Sequence, residues 1–212
     1  MPGILIVLEG IEGSGKTTQF ALLRDWLSGL GVDVVAAREP GGTPVGEAAR
    51  AALLHSGEVP ARAELMLMLA ARAALMEQIV EPALRRGAIV LLDRYELSSF
   101  AYQGYGREIP LEQVRAANAV ATGGRRPDLT IVLDVDAEAG EARRRAAGKS
   151  HDRIEAAGAA FHERVERGYR ELARNEQGVV VIDGTGTIDE VQARLRDELR
   201  RRFPETIGSA KG

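Results

Sequence analysis

The sequence predicts an α/β fold in which one parallel sheet carries helices on both faces, and three observations predict it. Five short apolar runs punctuate the chain: Ile4–Leu8, Val32–Ala36, Ala88–Leu92, Leu129–Leu133 and Val179–Ile182. Each is nearly continuous in Val, Ile and Leu instead of alternating with polar residues, the pattern of strands covered on both faces. The stretches between the runs are long enough for right-handed helical crossovers between parallel neighbours. The 212 residues contain no repeat, low-complexity tract or linker, so one core and one domain spanning residues 1–212 are expected.

The elements follow in order. After the first run and a glycine-rich turn, a helix is expected from about Gly15 to Ser28, closed by Gly29 and Gly31. Beyond Pro60 a second helix carries Glu64 to Arg72; it is apolar almost all round and should be enclosed. Pro82 either kinks this helix or starts a new turn. The third run ends in Asp93-Arg94-Tyr95, and Asp134 and Asp136 after the fourth are placed to cap the next helix. Asp189 to Arg201 reads as a last amphipathic helix, and the tail 204–212 as loose.

Composition excludes several function classes. Apolar residues make up 45% and charged residues 28%, an ordinary globular mixture. No apolar run approaches the roughly 20 residues of a membrane helix, and the N-terminus lacks the basic flank of a signal peptide. The absence of cysteine rules out disulfides, thiolate metal sites and cysteine nucleophiles. His55, His151 and His162 have no metal-ligand spacing. With a net charge of −3, no nucleic-acid or membrane partner is expected, and the location expected is cytoplasmic.

The strongest local signal is Gly10-Ile11-Glu12-Gly13-Ser14-Gly15-Lys16-Thr17, which fits G-x-x-x-x-G-K-[ST] between a buried strand and a helix. Glycines let the backbone turn so that successive N–H groups form an anion nest, and the helix N-terminus adds its own unpaired donors. Lys16 has the reach for the β- and γ-phosphates of ATP, and the Thr17 hydroxyl can ligate Mg²⁺. Lysine occurs only at positions 16, 149 and 211, the other 25 cations being arginine; at Lys16 a compact ammonium suits the loop better than a planar fork. Asp93, at the carboxyl end of a buried strand, stands where open α/β sheets bind ligands and where such enzymes hold a metal-facing acid. The guanine signature N-K-x-D is absent, which weighs against a GTPase switch.

Read together, this loop, Arg38-Glu39-Pro40-Gly41-Gly42-Thr43, Asp93-Arg94-Tyr95-x-x-Ser98-Ser99-x-Ala101-Tyr102-Gln103-Gly104 and Asp152-Arg153-Ile154-Glu155 resemble the thymidylate kinase family. The resemblance runs from the first strand to at least Glu155. It implies a P-loop NTPase fold of five parallel strands with a short lid at about 143–153, and a homodimer. The implied reaction, in dTTP biosynthesis, is ATP + dTMP → ADP + dTDP with Mg²⁺. It also implies an ATP site of Gly10, Ile11, Glu12, Gly13, Ser14, Gly15, Lys16, Thr17 and Thr18, with Mg²⁺ at Thr17 and Asp93.

For the acceptor, Arg38 and Arg94 arrive from separate strand ends with forks that bind phosphate bidentately. Glu12 resembles the family's acid on the sugar 3′-hydroxyl, and Arg72 the residue that reads a pyrimidine carbonyl. An arginine on that apolar face needs a partner, which a base carbonyl or a buried acid would supply. Ser99 and Gln103, four apart on one short helix, are placed to bond the base, and Tyr102 resembles the ring that crowds out a ribose 2′-hydroxyl. Where the family usually stacks an aromatic ring on thymine, four positions before Arg72, this chain has Met68.

The family carries its catalytic arginine either in the P-loop or in the lid. Ile11, Glu12, Gly13 and Ser14 include none, so the resemblance implies the lid. Arg153 is the first choice for this role, with Arg143 either a second or lying against adenine, and Arg144, Arg145 and Lys149 unranked. The Asp183-Gly184-Thr185-Gly186 turn is either a plain turn or a border of the adenine pocket. Two alternatives stay open: another nucleotide or deoxynucleoside kinase, and a P-loop regulatory protein without an acceptor site.

Overall fold

The computed structural model describes residues 2–146, 153–154 and 156–208. Its five parallel strands are β1 (Ile4–Glu9), β2 (Val34–Arg38), β3 (Ile89–Asp93), β4 (Leu129–Asp134) and β5 (Val179–Asp183), in the spatial order β2-β3-β1-β4-β5. Because β1 is flanked by β3 on one side and β4 on the other, the chain direction across the sheet reverses there. The crevice beyond the end of β1 is therefore the expected ligand site.

Alternate residues of the apolar runs face opposite sides. Ile6, Leu8, Ile89, Leu91, Ile131 and Leu133 pack with Leu23 and Leu27 of α1 (Lys16–Gly29) and Val191, Leu195 and Leu199 of α9 (Ile188–Arg202). Leu5, Val7, Val90 and Leu92 pack with Leu75 of α3 (Ala61–Leu75) and with Met76 and Val80 of the π-helical turn Met76–Val80. Double coverage holds for the three central strands; in the edge strands β2 and β5 most residues are only partly buried or exposed, because a lateral neighbour is missing on one side. Each strand also extends beyond its apolar run to a charged residue: Glu9, Arg38, Asp93, Asp134 and Asp183. The ladder thus delivers these five side chains to the same end of the sheet.

The remaining helices are α2 (Pro44–His55), α4 (Glu81–Arg85), α5 (Glu96–Ser99), α6 (Leu111–Thr122), α7 (Ala137–Ala146), α8 (Ala159–Asn175) and α10 (Pro204–Ile207). Pro82 lies in the first turn of α4, directly after the π-helical turn, as a residue without an N–H requires of the preceding ladder. The α3 helix is less enclosed than its composition suggests: Met66 is 57% exposed, whereas Leu65, Met68, Leu69 and Arg72 are buried. Asp136 accepts from Ala139 N at 2.6 Å at the start of α7, whereas Asp134 ends β4. The tail expected to be loose from Pro204 instead folds into α10, whose Ile207 is buried in the core beside α9; residues 209–212 lie outside the described residues. Among the described residues no helix is long and apolar enough to cross a membrane.

Candidate active site

A cleft of about 600 Å³ opens at the carboxyl ends of the strands, between the β1–α1 loop, β2, α3, α5 and the start of α9. On one wall the loop's glycines adopt positive φ: 75° at Gly13 and 92° at Gly15. A Cβ at Gly13 would strike the backbone of Gly140 in α7, so the close approach of loop and helix also requires glycine there. Gly15 precedes α1, whose first residues Lys16, Thr17 and Thr18 line the cleft.

Lys16 turns back over its own loop, donating to Gly10 O and Ile11 O at 2.8 Å and to Ser14 Oγ at 3.4 Å. Burial, with the Arg94 charge beside it, lowers its pKa to about 7 despite the carboxylates of Asp93, Glu9 and Glu12. Glu12 and Asp93 both line the cleft, and Asp93 Oδ1 is buried with no hydrogen-bond partner among the described residues. One carboxylate beside an exposed threonine hydroxyl is the donor set from which Mg²⁺ completes its shell with water and phosphate oxygens. No cluster of three or more His, Cys, Asp or Glu suited to a metal occurs among the described residues.

Two arginines line the same cleft. Arg38, in register with Asp93 across β2 and β3, is largely exposed and 3.4 Å from Glu47. Arg94 has φ +73°, an uncommon value for a non-glycine residue, while its N–H donates to Leu8 O at 3.0 Å. Its guanidinium donates to Ser98 Oγ and Tyr169 Oη at 3.1 Å, and to Gly10 O and Tyr102 Oη at 3.4 Å. Behind these hydroxyls the buried Glu9 carboxylate accepts from Ser98 Oγ at 2.7 Å and from Tyr169 Oη at 2.9 Å, and also from the N–H groups of Tyr95 and Ser98. Sequence reasoning missed Glu9, Ser98 and Tyr169. The acid directly before Gly10 was a visible signal; Tyr169 lies in α8, with no local signal linking it to the motif.

The other end of the cleft departs from expectation. Met68, Tyr102 and Gln103 lie on its wall; Arg72 and Ser99 do not. Arg72 is fully buried and spends all five N–H groups on protein. Two go to Glu39 Oε2 at 2.8 and 2.5 Å, one to Tyr95 O at 2.8 Å, one to Ser99 Oγ at 2.9 Å and one to Asn118 Oδ1. Of the two partners expected for Arg72, a base carbonyl or a buried acid, the structure shows the acid, Glu39. Ser99, whose Oγ accepts from Arg72, is held in the same network. Ser98 lines the cleft and Ser99, bonded to Arg72, does not; the π-helical segment 100–106 that follows carries Tyr102 and Gln103 to the cleft wall.

Of the lid, Arg143 lines the cleft and donates to Gly184 O at 3.1 and 3.2 Å, and Gly184 and Gly186 border the same space. Arg153, the first choice for the catalytic cation, is absent from that wall. It donates to Leu53 O at 2.8 Å and to Glu64 Oε2 at 2.7 Å, two tertiary partners that no local pattern reveals. The side chains of Arg144 and Arg145, and residues Lys149, His151, Asp152 and Glu155, lie outside the described residues.

Comparison with known proteins adds independent evidence. The family model described as thymidylate kinase matches residues 8–195. The thymidylate kinase of Trichodesmium erythraeum (strain IMS101) is 42% identical, over 97% of this chain and 98% of its own length. That of Leifsonia xyli subsp. xyli (strain CTCB07) is 46% identical, over 95% and 96%. The crystal structure of thymidylate kinase from Ehrlichia chaffeensis superposes with a TM-score of 0.78 at 32% identity, covering 94% of this chain and 99% of that one.

Proposed function

The chain belongs to the thymidylate kinase family, and from that premise we propose that it transfers the γ-phosphoryl group of ATP to dTMP, giving ADP and dTDP for dTTP synthesis. The observation that carries this reading is one cleft lined both by the phosphate-loop residues Glu12–Thr18 and by a second pair of cations, Arg38 and Arg94, with Asp93 on the same wall. A nucleotide switch needs the loop and has no use for the second pair.

Phosphoryl transfer is chiefly positioning and charge neutralisation. The loop N–H groups and the α1 N-terminus hold the donor phosphates. Lys16 exchanges its loop carbonyls for the β- and γ-oxygens, a short reorientation of a flexible stem. Mg²⁺, when bound at Thr17 and Asp93, supplies neutralisation of the β- and γ-phosphate charge. Arg38 and Arg94 hold the acceptor phosphate in line, and Glu12 accepts from the sugar hydroxyl. Arg143 is the lid-side cation for the adenine end or the transferring group. Met68 packs on the base, Tyr102 fills the space a 2′-hydroxyl would need, and Gln103 bonds the ring.

The exposed apolar side chains Met66 on α3 and Val120 on α6, two helices packed together, support assembly as a homodimer, to be checked by sedimentation. A cysteine-free chain is compatible with a cytoplasmic location. The decisive test is incubation with Mg-ATP and a panel of nucleoside monophosphates. ADP formation should depend on dTMP and exceed that with dUMP, dCMP or dAMP. Faster turnover of another monophosphate would reassign the substrate, and acceptor-independent hydrolysis would favour a regulatory protein.

A further inference from the structure

Glu64 has no part in the mechanism above, yet two arginines, Arg107 and Arg153, converge on it. It sits in the first turn of α3, fully buried. Its carboxylate accepts from Arg107 Nε at 3.2 Å and Nη2 at 3.0 Å, from Arg153 Nη2 at 2.7 Å and from Gln103 Nε2 at 2.9 Å. Burial pushes its pKa up, but the hydrogen bonds from Arg107, Gln103 and Arg153 outweigh that and leave it below the ordinary value.

An ionised carboxylate only accepts hydrogen bonds. The amide that meets it must therefore present its NH₂, and the orientation of Gln103 is fixed by chemistry. The other end of the amide, Gln103 Oε1, is then committed. It is buried, has no hydrogen-bond partner among the described residues, and belongs to a side chain on the cleft wall beside Met68 and Tyr102. An unpartnered buried acceptor costs about 1–3 kcal/mol unless a ligand supplies the donor.

We propose that Glu64 is a positioning residue for base selectivity: by holding the Gln103 amide in one orientation it makes the cleft demand a ring N–H donor, such as N3–H of thymine or uracil. Cytosine brings a lone pair at that position and meets Gln103 Oε1 acceptor to acceptor. Arg107 and Arg153 serve the same end by keeping Glu64 ionised. This inference rests on the pyrimidine-monophosphate reading of the site.

The test compares dUMP with dCMP, which share a ring size and differ at N3 and the 4-substituent, in wild type and Glu64→Gln, with Mg-ATP as donor. A neutral amide at position 64 can donate or accept, so Gln103 is free to turn. The ratio of kcat/KM for dUMP over dCMP should fall at least about tenfold in Glu64→Gln. The change should lie in KM, rising for dUMP and falling for dCMP, with saturating kcat on dTMP within about threefold. Glu64→Asp, which remains acceptor-only, should keep the preference within about threefold even where absolute rates drop. If Glu64→Gln lacks a native far-UV spectrum, the charge-balanced Glu64→Gln/Arg107→Gln variant takes its place with the same expectation. Equal impairment of both substrates, or loss of the preference in Glu64→Asp, overturns the inference alone. Absence of any pyrimidine-monophosphate turnover in wild type overturns the functional reading and this inference with it.

Discussion

Arg94 at the phosphate end of the cleft is a partly buried cation and Arg72 behind the base end a fully buried one, and they differ in what surrounds the charge. Arg72 is neutralised in place by Glu39 Oε2 at 2.5 Å, with its remaining donors on a carbonyl, a hydroxyl and an amide. Arg94 donates to a carbonyl and three hydroxyls, all neutral, and the Glu9 carboxylate lies one hydroxyl removed behind Ser98 and Tyr169. A cation with no carboxylate bonded directly to it keeps its charge for an incoming phosphate, and low polarity around it strengthens that attraction. A neutralised one holds elements together: Arg72 joins α3 to the end of β2, to the segment after β3 and to α6. On the proposed reading the Arg94 charge serves the acceptor phosphate, whereas that of Arg72 is met by the fold.

Exchanging the two effects breaks the comparison most directly. Arg94→Ala should lower kcat/KM for dTMP by about 10³-fold while the melting temperature moves little, since only neutral groups lose a partner; steady-state kinetics and calorimetry read both. A large loss of stability with modest kinetic change would place Arg94 in the structural class. Arg72→Ala should instead cost about 3–5 kcal/mol in denaturant unfolding, because Glu39 is left buried without its cation. The paired Arg72→Met/Glu39→Met variant should recover most of that loss, and failure to do so would mean the pair is more than a neutralised contact.

Lys16 sharpens the phosphate side. Its pKa of about 7 lies below the ordinary 10.5, so the unfolded chain binds the extra proton and stability rises with pH between those two values. Phosphates drawn to Lys16 favour the ammonium form, so ATP binding near pH 8 should take up close to one proton. Titration calorimetry in buffers of different ionisation enthalpy measures this, and Lys16→Met should abolish it. The smallest expected effect is at the base end: Met68→Phe should lower KM for dTMP a few-fold, as a rigid ring replaces a flexible thioether over the base. An unchanged KM would remove Met68 from the base contact.

Legibility in the sequence follows how local the cause is. The central strands were readable because coverage on both faces writes a continuous apolar run; the edges β2 and β5 share that composition without that burial. Gly10–Thr17, Asp93 and Arg94 were readable because strand, turn and helix succeed one another within a few residues. Ser98 and Ser99 adjoin each other, and only the folded structure shows that Ser98 lines the cleft while Ser99 meets Arg72.

What the sequence by itself determined is the parallel α/β sheet and the phosphate cradle at its end, since backbone geometry over a short stretch dictates both. Tertiary structure alone decided which arginines remain available. Glu39 is 33 positions from Arg72, and Glu64 is 89 from Arg153. Neutralisation depends on contact distances of about 3 Å, and only the folded packing of α3 against β2, α6 and the lid brings those charges that close.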